Sequence, residues 1–168
     1  TDQMVVVCDI GDCLYGAGDL VVSKVNRFFC PAYYNAMGVA IPGALGIQTA
    51  LPTIRPIVIV GDGASQMSLL ELSTIANRKL NPIIFVLNNK GFLTERLVLD
   101  GDYNDIRLWD YHKIPEIIKY GSGYEVLDEM ELDRVINIAL TSKQLSVINV
   151  HIDSAMSPAL RRMIDNKK

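Results

Sequence analysis

Four short apolar runs limit the folds open to this chain more than any other feature. "MVVVC" (4–8), "PIVIV" (56–60), "PIIFVL" (82–87) and "LSVINV" (145–150) are rich in β-branched residues and are apolar at odd and even positions alike. A strand with one wet face alternates; a strand of a parallel sheet is covered by helices on both faces and reads as a continuous apolar run. "RFFC" (27–30) and "GYEVL" (123–127) are shorter candidates. Helical patterns lie between the runs. Over 129–141, Leu132, Val135, Ile136 and Ala139 fall at i, i+3, i+4 and i+7, with Asp128 placed as the cap. "NAMGVAIPGALGIQTA" (35–50) is small and apolar nearly all round, which suits a helix packed between layers, and Pro42 should kink it or open a new turn. Strands alternating with helices predict an α/β three-layer sandwich, a mainly parallel sheet of about six strands with helices on both faces. The 168 residues fit one domain, 1–168, with no linker or internal repeat. Because the chain starts without Met, almost at a strand, it reads as a piece of a longer polypeptide.

In an open parallel sheet, ligands bind beyond the carboxyl ends of the strands. "GDG" (Gly61, Asp62, Gly63) directly follows the run 56–60, and "NNKG" (Asn88 to Gly91) directly follows the run 82–87. The 27 positions from Asp62 to Asn89 (89 − 62) hold a helix over about 65–77, a turn at "KLNP" and a buried strand. That is one right-handed crossover. Neighbouring strands lie about 4.8 Å apart, so the Asp62 carboxylate and the Asn89 amide oxygen can reach one small cation. Mg²⁺ takes oxygen ligands at about 2.0–2.1 Å and commonly keeps substrate phosphates in its shell. Gly61, Gly63 and Gly91 remove side chains where a phosphate would approach backbone N–H groups. The edge is suited to a metal together with a phosphate.

Charge excludes other classes. A net charge of −3 and a pI near 5.3 give no general attraction to nucleic acid or an anionic membrane. No apolar run approaches the roughly 18 residues of a membrane span, and the start lacks the basic stretch of a signal peptide, so a cytoplasmic location is expected. Cys8, Cys13 and Cys30 form no C-x-x-C pair and read as reduced, mostly buried residues. Neither G-x-G-x-x-G nor a Walker sequence is present, which argues against a plain nucleotide-binding module.

Gly61-Asp62-Gly63, then residues 64–87, then Asn88-Asn89, resembles the signature of thiamine diphosphate enzymes. The wider stretches "GDGASQMSLLELSTIANRKLNPIIFVLNNKGFLTERLV" and "YNDIRLWDYHKIPEII" are similar to the C-terminal, diphosphate-binding domain of the pyruvate and indolepyruvate decarboxylase group. The similarity runs over nearly the whole chain, from "VVVCDIGDCLYGAGDL" to "LSVINVHID". This resemblance implies thiamine diphosphate and Mg²⁺ as cofactors and a 2-keto acid as substrate. It makes the Asp62 and Asn89 side chains and the Gly91 carbonyl the metal ligands. Gly63, Ala64, Ser65, Phe92 and Leu93 become backbone donors to the diphosphate. Met37 takes the place of the bulky apolar residue that wedges the cofactor into a V, with backbone groups of Asn35 and Met37 facing its aminopyrimidine. Glu95 matches the acid that contacts the reacting substrate and can move protons. The partner implied is a pyrimidine-binding domain or subunit that supplies an activating glutamate, within a homo-oligomer, most simply a dimer. A carboligase of the acetolactate synthase kind, or a separately encoded subunit of a two-subunit enzyme, is the alternative.

Two departures from the family pattern concern the substrate end. "IGDC" puts Asp12 and Cys13 where the decarboxylases have a Thr or Ser pair, and Ala64 stands where Ser usually follows GDG. A carboxylate beside a diphosphate would repel it, so Asp12 is expected to turn away or to cap a helix. Without the resemblance, the residues keep plainer readings. Asp62 would be a turn residue and cap, Met37 core, and Glu95 a solvated helix charge. Asn88 is expected to hold loop backbone, and His112 and His151 to be satisfied structural histidines. Asp100, Asp102 and Asp105 read as a solvated acidic loop, with Asn104 and Asp105 ordering it.

Overall fold

All six strands pair in parallel, in the order β2-β1-β3-β4-β6-β5. The structure is a computed structural model that describes residues 3–154 and 158–165. The strands are β1 (Met4–Cys8), β2 (Phe28–Phe29), β3 (Arg55–Gly61), β4 (Ile83–Asn88), β5 (Ser122–Val126) and β6 (Ser146–His151). Each apolar run of the sequence is a strand, and the two short candidates are the edge strands.

The unbroken apolar character of the runs is explained by what covers them. Val5, Val7, Val58, Val60, Ile84, Val86 and Val147 face one side and pack with α2 (Ala40–Ala50) and α4 (Glu71–Asn77). On the other side Ile148 and Val150 pack with Val135 and Ala139 of α7 (Glu129–Thr141), while Ile59 and Leu87 pack with Cys13 and Ala17 of α1 (Asp12–Ala17). A three-layer sandwich results. Asp128 caps α7 as expected, accepting the Glu131 N–H at 2.8 Å.

Two helices differ from expectation. The helix foreseen over 35–50 is only 40–50, because Asn35 (φ 54°) and Gly38 (φ 79°) adopt left-handed backbone that no α-helix continues through. Pro42 opens α2 instead of kinking it, since it falls in the first turn, where no intrahelical N–H partner is lost. The helix foreseen over 65–77 starts earlier and is divided into α3 (Asp62–Ser68) and α4. The junction tightens into i→i+3 bonds, from Leu72 N–H to Leu69 O and from Ser73 N–H to Leu70 O, each 3.0 Å.

The strand order fixes where a ligand can enter. After β1 the chain goes to β2 on one flank and then to β3 on the other, so the connections leaving β1 and β3 diverge and leave a crevice at the carboxyl edge. Among the described residues no helix is long and apolar enough to cross a membrane.

Candidate functional site

The crevice between the ends of β1, β3 and β4 is a cavity of about 230 Å³. Asp62 and Gly63 reach it because β3 passes directly into α3 with Gly61 as the N-cap. Asn89, Gly91, Phe92, Leu93 and Glu95 reach it from the loop after β4 and from α5 (Leu93–Arg96), and Asn35 and Met37 from the segment before α2. Ala64 also lines it, so every predicted site residue but one meets at one cleft. The exception is Ser65, which is fully buried behind Asp62 with its hydroxyl donating to the Asp62 carbonyl at 2.7 Å.

Asp62 is buried and organises the cleft floor. Its Oδ1 accepts the Gly63 N–H at 2.8 Å, and its Oδ2 accepts the Lys90 and Gly91 N–H groups at 2.8 and 3.1 Å. Burial pushes its carboxyl above the ordinary carboxylate value, while these N–H bonds pull it the other way. The Asn89 amide, with its NH₂ turned toward its acceptors, donates to the Gly91 carbonyl at 2.8 Å and to Asp62 Oδ1 at 3.2 Å. The Asp62 and Asn89 side chains are therefore in contact across neighbouring strands. Turning the amide over would put the Asn89 oxygen at those same separations from the Gly91 carbonyl and Asp62 Oδ1. Adjacent oxygens of an octahedral shell about 2.1 Å from Mg²⁺ lie about 3.0 Å apart. The donor set fits a small hard cation.

The glycines divide differently from expectation. Of Gly61, Gly63 and Gly91, only Gly61 leaves open the space where a side chain would stand. At Gly63 a Cβ would come 2.3 Å from the Phe92 ring, so this glycine admits Phe92 over the turn instead of making room for a phosphate. At Gly91 (φ 143°) a Cβ would come 2.6 Å from the Asn104 carbonyl, which the Phe92 N–H uses at 3.0 Å. Asn104 is itself buried and bonds the Leu99 carbonyl at 2.9 Å, so the 99–105 loop is a brace for the loop that follows β4. Asp100 and Asp105 are exposed but not simply solvated, because both pair with Arg96.

Other residues hold the site without lining it. Asn88 bonds Asn149 Oδ1 at 3.2 Å across β4 and β6, a structural role, but one that joins two strands through their side chains and not the expected hold on loop backbone. His151 bonds Glu125 and Asn149 at 2.9 and 3.2 Å. His112 departs from expectation, since its Nδ1 is buried with no partner among the described residues. Tyr111 is fully buried, and its hydroxyl donates to the Asp62 carbonyl at 3.3 Å and accepts from Gln66 Nε2 at 2.8 Å. Burial raises the phenol to about 12, so it stays a donor at neutral pH. Tyr111→Phe removes one buried bond from the turn carrying Asp62, worth about 1 kcal/mol. A fall in Tm of about 2–4 °C should follow, read by thermal melts of wild type and variant.

On the β1 side, Asp12 departs from expectation: it lines the cleft as the first residue of α1, whose N-cap is Gly11, so it neither turns away nor takes the cap position. Cys13 is buried and donates from Sγ to the Ile10 carbonyl at 2.9 Å. Cys8 is buried too, and its hydrogen bond with Cys13 and then burial hold its thiol well above the ordinary value, as expected of an inert structural thiol. Glu95 lines the cleft but is exposed, so no described residue encloses it. Sequence reasoning missed Asp9, Gly11, Leu14 and Tyr15. Asp9 had a readable signal, because "VVVCD" ends an apolar run on an acid as "VIVGD" does.

An all-parallel sheet with a carboxylate, an amide and a carbonyl gathered beside an open glycine at its switch point defines an α/β domain built to hold a cofactor at its carboxyl edge. Comparison with known proteins supplies the family. Residues 9–150 match the family described as "Thiamine pyrophosphate enzyme, C-terminal TPP binding domain", and the chain belongs to that family. It is 32% identical to a pyruvate decarboxylase of Aspergillus parasiticus, over 97% of this chain and 32% of the relative. It is 34% and 35% identical to the alpha-keto-acid decarboxylases of Mycolicibacterium paratuberculosis and Mycobacterium avium, over 88% of this chain and 27% of each relative. The chain thus spans about a third or less of the length of these relatives.

Proposed function

We propose that this chain is the diphosphate- and Mg²⁺-binding part of a thiamine diphosphate-dependent 2-keto acid decarboxylase. The observation that carries the metal is the contact between Asp62, Asn89 and the Gly91 carbonyl at spacings that suit one cation. Asp62 Oδ1, the Asn89 amide oxygen and the Gly91 carbonyl would hold Mg²⁺, and of the backbone donors expected from sequence Ala64 would meet the diphosphate at the open Gly61 edge, because the Gly63, Phe92 and Leu93 N–H groups are engaged by Asp62 Oδ1, the Asn104 carbonyl and the Gly91 carbonyl. Ser65 serves through its grip on the Asp62 carbonyl. When bound, thiamine diphosphate supplies a nucleophilic carbon and an electron sink for cleavage beside a keto group. Met37 would bear on the middle of the cofactor, and Glu95, at the mouth, would meet the substrate and hold or move its proton. The names of the relatives support decarboxylation over the carboligase alternative.

The assembled enzyme is inferred to be cytoplasmic and homo-oligomeric, with a pyrimidine-binding domain or subunit completing the site. The test is cofactor uptake by the assembled protein with Mg²⁺ and with a chelator, paired with carbon dioxide release from a panel of 2-keto acids. Metal-dependent uptake and release from at least one acid are expected. Uptake indifferent to the metal would overturn the metal assignment, and condensation products without net release of free aldehyde would favour the carboligase.

A further inference from the structure

Asp9 is fully buried at the carboxyl end of β1, and each of its polar atoms is engaged. Its N–H donates to the Ile59 carbonyl at 2.9 Å, and its carbonyl accepts the Cys8 and Cys13 thiols at 3.2 Å each. Its Oδ1 accepts the Ile10 and Gly38 N–H groups at 3.0 and 3.1 Å, and its Oδ2 accepts the Ala40 N–H at 2.9 Å. Among the described residues its side chain has no ion-pair partner, and the proposed chemistry does not use it. Helix α2 needs such a group. Its N-cap residue, Val39, has no side-chain acceptor, so Asp9 caps the helix from 31 residues upstream.

The same bonds decide where Met37 stands. Met37 lines the cleft immediately before Gly38, whose backbone is left-handed (φ 79°) and whose missing Cβ would come 2.9 Å from Met67 Cβ. A clamp at Gly38 and Ala40 therefore leaves the 35–39 segment little freedom. Asp62 does the equivalent for the other wall, holding Lys90 and Gly91 from the end of β3. The two acids follow neighbouring strands, and each pins one side of the crevice.

We propose that Asp9 is a positioning residue for the organic half of the cofactor, fixing the segment that presents Met37 and Asn35 while leaving the diphosphate end to Asp62 and Asn89. This rests on the reading of the cleft given under the proposed function. It predicts a split that a general loss of stability would not produce. Inorganic diphosphate with Mg²⁺ needs only the β3–β4 edge, whereas thiamine diphosphate needs both walls.

The experiment titrates the assembled enzyme with each probe in saturating Mg²⁺, for wild type and Asp9→Asn. The substitution turns an accepting oxygen into an NH₂ group facing an N–H. Affinity for thiamine diphosphate should fall about tenfold or more, affinity for inorganic diphosphate should stay within about twofold, and the Gly38 and Ala40 amides should exchange faster with solvent. Equal losses for both probes, or no loss for either, would overturn the proposal. If Asp9→Asn does not fold, Gly38→Ala decides, since it displaces the clamped segment with Asp9 intact and should give the same split; equal losses there are equally fatal. Wild type that takes up thiamine diphosphate but not inorganic diphosphate would overturn the reading of the metal edge itself, and the division of roles with it.

Discussion

Asp62→Ala in the assembled enzyme should abolish Mg²⁺-dependent retention of thiamine diphosphate. The carboxylate has two tasks, and alanine removes both. Toward the protein, Oδ2 holds the Lys90 and Gly91 N–H groups, and charge-assisted bonds of this kind contribute about 1.5–3 kcal/mol each when buried. Toward the cofactor, Oδ1 is the charged member of the oxygen set that would neutralise the diphosphate. The expected loss of affinity is at least about a hundredfold, or about 2.8 kcal/mol, and the protein should emerge from gel filtration without cofactor. Asn89→Leu separates the tasks. It removes a proposed metal ligand but leaves the Lys90 and Gly91 N–H bonds to Asp62, so cofactor should be lost with a smaller fall in Tm. Normal retention of cofactor by either variant would show that the ligands were wrongly assigned.

The parts of this site that could be read from sequence are those set by local pattern. An acid or amide placed directly after a buried β-branched run must emerge at the carboxyl edge of a parallel sheet, so Asp62 and Asn89 were legible from position alone. Their contact needed only that β3 and β4 be neighbours, which a 27-residue crossover made natural. Asp9 obeys the same rule but has no second motif at a fixed distance to point it out, and its partners Gly38 and Ala40 depend on a left-handed turn that composition does not reveal. The apolar stretch 35–50 looked helical throughout because apolar periodicity is blind to φ, and the structure breaks it at Gly38. The role of Gly63 was also beyond sequence reasoning. A glycine beside a phosphate-binding turn looks like room for the phosphate, yet the space is taken by Phe92, a contact formed only when the β4 loop folds back over α3.

Carbon dioxide release by this chain alone should be absent, whatever 2-keto acid is supplied with saturating Mg²⁺ and thiamine diphosphate. The cleft has acceptors and backbone donors for a metal and a diphosphate, but Glu95 at its mouth is exposed, and catalysis of this kind needs water excluded from the reacting centre. The segments bordering the cleft expose apolar side chains that suggest what closes it. Tyr33 and Tyr34 are exposed just before the cleft-lining Asn35 and Met37, and Val98 and Leu99 are exposed just after the cleft-lining Leu93 to Glu95. Scattered apolar exposure is ordinary, but side chains of this size gathered on the segments around a site mark a surface meant to be covered. A pyrimidine-binding domain seated there would enclose Glu95 and bring the glutamate that activates the cofactor. Adding that domain, in cis or as a separate chain, should both restore turnover and protect residues 20–37 and 97–109 from solvent exchange. Protection without turnover would place the activating acid elsewhere, and robust turnover by the isolated chain would mean that the acid lies within these 168 residues and that the division of labour between two domains is wrong.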